Sequence, residues 1–147
     1  MQKHCQNIYK IARLKTNFTQ EQVAELIPTS VESVRAYETG QTIPPDEVAC
    51  RMAHIYESPD LAYDHLMHKS EAARMIFPSL DKKNLPEAIL QLQRDVTEFI
   101  KCRDDLIDIG CDGIIDDHER VRYDEICCTL DEIVKSVMAL KFAKTKQ

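Results

Sequence analysis

The sequence predicts an all-α protein: five short helices in residues 1–68, a linker over 69–85, and a long antiparallel helical hairpin in 86–147. Three observations carry this. Apolar residues recur at steps of three and four, the period of a helix buried on one side. Short segments are bounded by hydroxyl caps and by prolines placed where helices begin. Three glycines and 6% aromatic residues, with no tryptophan, leave little from which to build a β-sandwich or barrel.

The first helix lies within residues 5–15, where Ile8, Ile11 and Ala12 share a side and Leu14 is close by; Thr16-Asn17-Phe18 leads out of it. The stretch Thr19 to Gly40 then reads as two short helices around a tight turn. Thr19 caps the first, with Gln22 completing a capping box, and Val23, Ala24 and Ile27 line one face. Pro28-Thr29-Ser30 ends that helix and offers hydroxyl caps to the next. The next helix carries Val31, Val34 and Tyr37 on its apolar side and stops at Thr39-Gly40. Beyond the loop Gln41-Thr42-Ile43, Pro44-Pro45 followed by Asp46 and Glu47 opens a fourth helix, with carboxylates in its positive first turn. Its face is Val48, Met52 and Ile55, flanked by Ala49 and Ala53. Ser58-Pro59 opens a fifth, bearing Leu61, Ala62, His65 and Leu66. Two helices of about eight residues cannot bury a core alone, so the helices around them must supply it.

Residues 8–66 resemble the lambda-repressor and Cro type of helix-turn-helix, the Xre family. The matching residues are Arg13, Gln20, Ala24, Val34, Glu38, Gly40, Pro44 and the apolar face from Val48 to Ile55. The resemblance implies a five-helix lambda-repressor-like domain binding double-stranded DNA, with its third helix offered to the major groove. It implies that Gln20 touches the DNA backbone and that Val31, Glu32, Ser33, Arg35 and Ala36 face the groove. It also implies an Arg13–Glu38 ion pair tying the first helix to the end of the third. Ser30 is added to the DNA-facing set, and Gln41 and Thr42 are placed on phosphates. Pro28 stands where the family has glycine; its φ is fixed near −65°, so the turn must be built differently. Arg35 reaches a guanine or a phosphate, and Glu32 accepts from a cytosine amino group. Alternatively, Thr29 and Glu32 form a capping box that occupies Glu32.

In the linker, Ala72 to Phe77 extends a helix until Pro78 stops it, and Asp81-Lys82-Lys83-Asn84 is polar. From Pro86 the expected hairpin seams are Ile89, Leu92, Val96, Phe99, Arg103 and Leu106, against Tyr123, Ile126, Leu130, Ile133, Val137 and Leu140. Ile100, Ile107, Val134 and Met138 widen these faces beyond what one hairpin can bury. A homodimer through 86–147 is therefore expected, as a four-helix bundle. The hairpin and its basic tail also resemble, more loosely, the C-terminal regions of some phage-type regulators. In that tail Lys141, Lys144 and Lys146 either favour a helix C-terminus or touch nucleic acid.

Net charge is −6. Residues 1–68 hold 6 Lys/Arg against 9 Asp/Glu, and residues 69–147 hold 13 against 16, so DNA binding must rest on local charge placement or on dimerisation. The six cysteines, at 5, 50, 102, 111, 127 and 128, include no C-x-x-C pair and are read as reduced and structural. No apolar run approaches the ~18 residues of a membrane span, and the first residues lack a signal-peptide core. A cytoplasmic location with no membrane partner is expected.

Asp108 to Glu119 nearly fits an EF-hand loop, with Asp108, Asp112, Asp116 and Glu119 as calcium ligands and Gly110 where another oxygen is needed. The plainer reading is a turn in which Gly110 and Gly113 take positive φ and Asp116 or Asp117 caps the next helix, so no metal is expected. His65 and His68 stand three apart but lack a third ligand and are read as surface or boundary residues. Asp104-Asp105 is read as a solvated helix face. No nucleophile elbow, phosphate loop or zinc-protease motif is present, so neither an enzyme nor a cofactor is expected. The resemblance therefore sets the expected function: a sequence-specific transcriptional regulator, a dimeric repressor on a palindromic operator. Two other readings stand beside it: a protein-interaction module that has kept the helix-turn-helix shape but lost DNA binding, and a calcium-responsive regulator acting through 108–119.

Overall fold

The computed structural model describes residues 7–143; Cys5, Lys144 and Lys146 lie outside them. The regular structure is helical: α1 (Ile8–Leu14), α2 (Gln20–Leu26), α3 (Val31–Thr39), α4 (Asp46–Ile55), α5 (Pro59–Lys69), α6 (Glu71–Ile76), α7 (Leu85–Gly110) and α8 (Arg120–Lys141). The chain divides into two compact units after Phe77.

In the first unit, side chains start the helices by satisfying N–H groups that have no partner within the helix. Asn7 Oδ1 accepts from the Tyr9 and Lys10 amides, and its Nδ2 donates 2.7 Å to the Tyr37 carbonyl near the end of α3. Thr19 and Gln22 form the expected capping box on α2. Ser30 caps α3, its Oγ accepting 3.1 Å from the Ser33 amide. Ser30 rather than Thr29 is thus the cap, and Glu32 takes no part in a capping box.

The turn between α2 and α3 is built without a left-handed residue. Ile27 is extended at φ −109°, and the Thr29 amide returns 2.6 Å to the Ile27 carbonyl, enclosing Pro28 in a three-residue turn. Proline suits this path, which needs negative φ where glycine would supply positive. At the far end of α3, Gly40 takes φ +77°; its amide meets the Tyr37 carbonyl and the Gln41 amide meets Ala36, a Schellman close.

The core gathers Tyr9 and Ala12 of α1, Val23 and Ile27 around α2, Val34 of α3, Ala49, Met52 and Ala53 of α4, Tyr56, and Leu61 of α5. Four of the five expected faces point inward much as their spacing implies. The face of α1 is turned: Tyr9, Ala12 and Arg13 are buried, whereas Leu14 is exposed. Polar partners in other helices set that rotation, because Tyr9 and Arg13 each reach one. The expected linker is also partly structured. Ser70 caps α6, Arg74 Nη1 donates to the Met67 and His68 carbonyls at 2.8 and 3.0 Å, and the Phe77 ring meets Tyr63 edge-on at 6.4 Å. Residues through Phe77 therefore pack with the first unit.

In the second unit α7 and α8 run antiparallel around the loop 111–119 and pack along their length. Asn84 caps α7 by accepting 3.0 Å from the Glu87 amide. The seam of α7 is turned one position from the expected one. Ala88, Asp95, Cys102 and Ile109 are buried, with Phe99 and Leu106 beside them, whereas Ile89, Val96 and Arg103 are not buried. On α8, Tyr123, Ile126 and Leu130 keep their expected places. Towards its end Ser136 and Ala139 are buried instead of Val137. Small residues let the backbones approach, and the buried Ser136 hydroxyl donates to the buried Asp95 side chain. Gln91 Nε2 donates to the other Asp95 oxygen at 2.8 Å.

Removing the Ser136 hydroxyl should leave a buried Asp95 oxygen short of a donor. Ser136→Ala is expected to lower stability by about 1–3 kcal/mol in urea unfolding. Combining it with Asp95→Val should cost less than the sum of the two single changes, the mark of a coupled pair.

Candidate nucleic-acid interface

A buried ion pair fixes α3 relative to α1. Arg13, 8% exposed, meets Glu38, 5% exposed, through two parallel bonds, Nε to Oε1 at 2.5 Å and Nη2 to Oε2 at 2.9 Å. Arg13 Nη1 also donates 2.7 Å to the Phe18 carbonyl, so the same guanidinium holds the α1–α2 connection. The bond to Glu38 keeps the Arg13 guanidinium above its ordinary pKa, against the opposing effect of burial. Gln20 Nε2 completes the knot by donating 2.8 Å to Glu38 Oε2, which ties the first residue of α2 to α3. Gln20 is thus part of the scaffold, with one amide N–H left for any phosphate. Burial, and after it the Glu38 charge, raises the pKa of Tyr56; its hydroxyl is buried with no hydrogen-bond partner among the described residues.

With α3 held from behind, its outer edge is defined. Glu32 and Arg35 are exposed, and Val31, Ser33 and Ala36 are half-buried between them. Ser30 is exposed but engaged with Ser33, Oγ to Oγ 2.9 Å. Neither Glu32 nor Arg35 makes a side-chain hydrogen bond among the described residues, so both are open to an incoming ligand. The Glu21 carboxyl sits below the usual range, first through its own backbone N–H, then through Thr19 and, more weakly, the charge of Arg35. Gln41 and Thr42 are exposed at the C-terminal end of α3, but both of their amides are turned to the Ala36 carbonyl. Their side chains, not their backbone N–H groups, are what a phosphate would meet. Ser30, Glu32, Ser33, Arg35 and Ala36 therefore share one helical edge, with Gln41 and Thr42 at one end of it and Gln20 behind it.

A family model described as a helix-turn-helix domain matches residues 10–66. Residues 10–66 are a helix-turn-helix domain. Comparison with curated proteins and with solved structures gave no match. In the helix-turn-helix, α2 and α3 form the motif, and α1, α4 and α5 supply the core that two short helices lack.

A second polar chain braces this helix-turn-helix domain away from the motif. The Tyr9 hydroxyl meets His65 Nδ1 at 2.7 Å, His65 Nε2 meets Asp46 Oδ1 at 3.0 Å, and Lys69 Nζ donates to the same oxygen at 2.5 Å. It links α1, α5 and the first residue of α4. Burial, then the Asp46 charge, pushes the Tyr9 hydroxyl up to about 12. Lys69, followed by His65, holds the Asp46 carboxyl below its ordinary value. His65 is therefore buried, not a surface or boundary residue, and both ring nitrogens are engaged; His68 is exposed. Nothing local marks this link, because Tyr9 and His65 are 56 positions apart.

The carboxylates of the EF-hand-like loop are engaged with the backbone instead of converging. Asp112 accepts from the Ile114 amide at 2.9 Å, and Asp116 accepts from His118 and Glu119 at 2.7 and 2.9 Å. Glu119 returns to the Asp116 amide at 3.2 Å, and Asp108 is exposed on the last turn of α7. Gly113 has φ +78°, while Gly110 remains within α7. Among the described residues no group of three or more His, Cys, Asp or Glu is placed to hold a metal ion.

Removing one partner of the buried pair should be costly. Glu38→Ala is expected to destabilise by roughly 3–5 kcal/mol in denaturant unfolding, because Arg13 stays buried without its counter-charge. The Asp46 contacts should give stability a pH dependence of defined sign. Because the folded pKa is lowered, their stabilisation is present above the ordinary aspartate range and is lost as pH falls through the folded value. The melting temperatures of wild type and Asp46→Asn should therefore differ near neutrality and converge in acid.

Proposed function

We propose that the protein is a sequence-specific DNA-binding transcription regulator, a non-enzymatic repressor that acts as a homodimer on a palindromic operator. The observation that carries this reading is the outer edge of α3. There Arg35 and Glu32 stand exposed and uncommitted on a helix held by the Arg13–Glu38 pair, within a helix-turn-helix domain. The chemistry suits base readout: a guanidinium recognises guanine, and a carboxylate accepts from the cytosine amino group. Two copies would set their α3 helices about one DNA turn, ~34 Å, apart.

A second reading has a specific observation behind it. Between Thr19 and Pro44 the sequence holds one cation, Arg35, and four carboxylates, at 21, 25, 32 and 38. Glu38 is compensated by Arg13, but the remaining acidic groups oppose a phosphate backbone. This favours a protein-interaction module that retains the helix-turn-helix shape.

Titration of fluorescently labelled mixed genomic DNA at low and moderate salt separates the two. The DNA-binding reading expects affinity that falls steeply as salt rises, whereas absence of binding, or binding indifferent to salt, supports the interaction module. Once an operator is in hand, Arg35→Ala should weaken specific binding by about 1–3 kcal/mol with little effect on stability. Unchanged operator affinity would remove Arg35 from base readout.

A further inference from the structure

The turned seam of the hairpin leaves an apolar stripe on α7 that its own α8 does not cover. Ile89, Val96, Ile100 and Ile107 are 48%, 38%, 57% and 62% exposed. At 100° per residue they fall within an arc of ~40°, and that arc lies roughly 110° around α7 from the side packed on α8. A helix at the corner of a four-helix bundle needs two packing faces at about this angle.

The spacing of the stripe states what can cover it. From Ile89 the steps are seven, four and seven, so the pattern reads the same in both directions. A second α7 laid antiparallel about a two-fold axis at the level of residue 98 sets Ile89 over the partner's Ile107 and Val96 over the partner's Ile100. The stripe spans ~27 Å of helix, so the contact is continuous over about five turns. Gln93 and Arg103 flank the stripe on opposite sides, equally far along the helix from its centre. The antiparallel arrangement puts each Arg103 level with a neutral Gln93, whereas a parallel one sets Arg103 level with Arg103 and aligns the two helix dipoles unfavourably. The exposed valines of α8, at 121, 134 and 137, form no comparable pattern.

We propose that two copies of this chain associate through antiparallel α7 helices along Ile89, Val96, Ile100 and Ile107. The inference rests on the homodimer proposed above and names its interface and polarity. A C2 interface must be self-complementary, and this stripe is complementary to its own reverse.

Sedimentation of the full chain at tens of micromolar tests it with three variants: I89K, I107E and the double variant I89K/I107E. Both substituted positions, 89 and 107, are exposed in the protomer, and far-UV circular dichroism should show unchanged helix content. Wild type should sediment as a dimer, each single variant should dissociate about tenfold or more readily, and the double variant should return to within about threefold of wild type. That recovery occurs only when position 89 faces position 107 of the other copy; parallel pairing would make the double variant the weakest. A monomeric wild type, single variants as tight as wild type, or a double variant no tighter than the single ones would each overturn the proposal. The salt-dependent DNA titration is scored separately. Failure of that titration with the recovery intact rejects the DNA reading alone, and DNA binding by a monomeric wild type rejects the interface alone.

Discussion

The Arg13–Glu38 pair is the constraint on which the geometry of the helix-turn-helix depends. It joins α1 to α3 through a bidentate contact, secures the α1–α2 connection through the Phe18 carbonyl, and takes in Gln20 at the start of α2. A buried guanidinium and carboxylate satisfy each other in few geometries, so the pair fixes an orientation as well as contributing energy. The outer edge of α3 is open because the inner edge is committed. Val34 and Glu38 face the core side, whereas Glu32 and Arg35 are left for solvent or a partner.

The two units use buried polarity differently. In the first, charged and aromatic polar groups connect helices far apart in sequence, and Arg13, Glu38, His65 and Asp46 each reach two partners. In the second, one short contact between Asp95 and Ser136, with Gln91 alongside, lies within a seam of small residues. That contact is compatible with one rotation of α7. The same rotation hides Ala88 and Cys102 and leaves larger residues, Ile89 and Ile107 among them, exposed. The apolar stripe and the polar contact are therefore two consequences of one packing choice.

Much of the fold was legible from local chemistry. The capping box at Thr19, the stop at Gly40 and the proline at the start of α5 act over a few residues and need no knowledge of the rest of the chain. Helix rotation was less legible. On α7, apolar residues occupy both Ala88 and Ile89, so periodicity at the start of the helix left the seam open by one position, and the buried seam is the one that carries Asp95 to Ser136. On α1, Ile8, Ile11 and Ala12 with Leu14 nearby marked the expected face, and the contacts of Tyr9 with His65 and of Arg13 with Glu38 turned it. The Arg13–Glu38 tie was expected through family resemblance, whereas the Tyr9–His65–Asp46 chain had no comparable signal. For Glu32, two sequence readings competed, and the position of the cap, on Ser30, left its side chain uncommitted.

By itself the sequence determined which segments are helices, where most of them begin and end, and that apolar surface exceeds what the hairpin can bury. Those properties follow from periodicity, caps and turn residues, which act over one or two helical turns. Only the tertiary structure decided which side of each helix faces inward, how Pro28 is accommodated, and which side chains near α3 remain uncommitted. Those depend on partners tens of residues away, and a buried polar group takes whichever rotation lets it meet one.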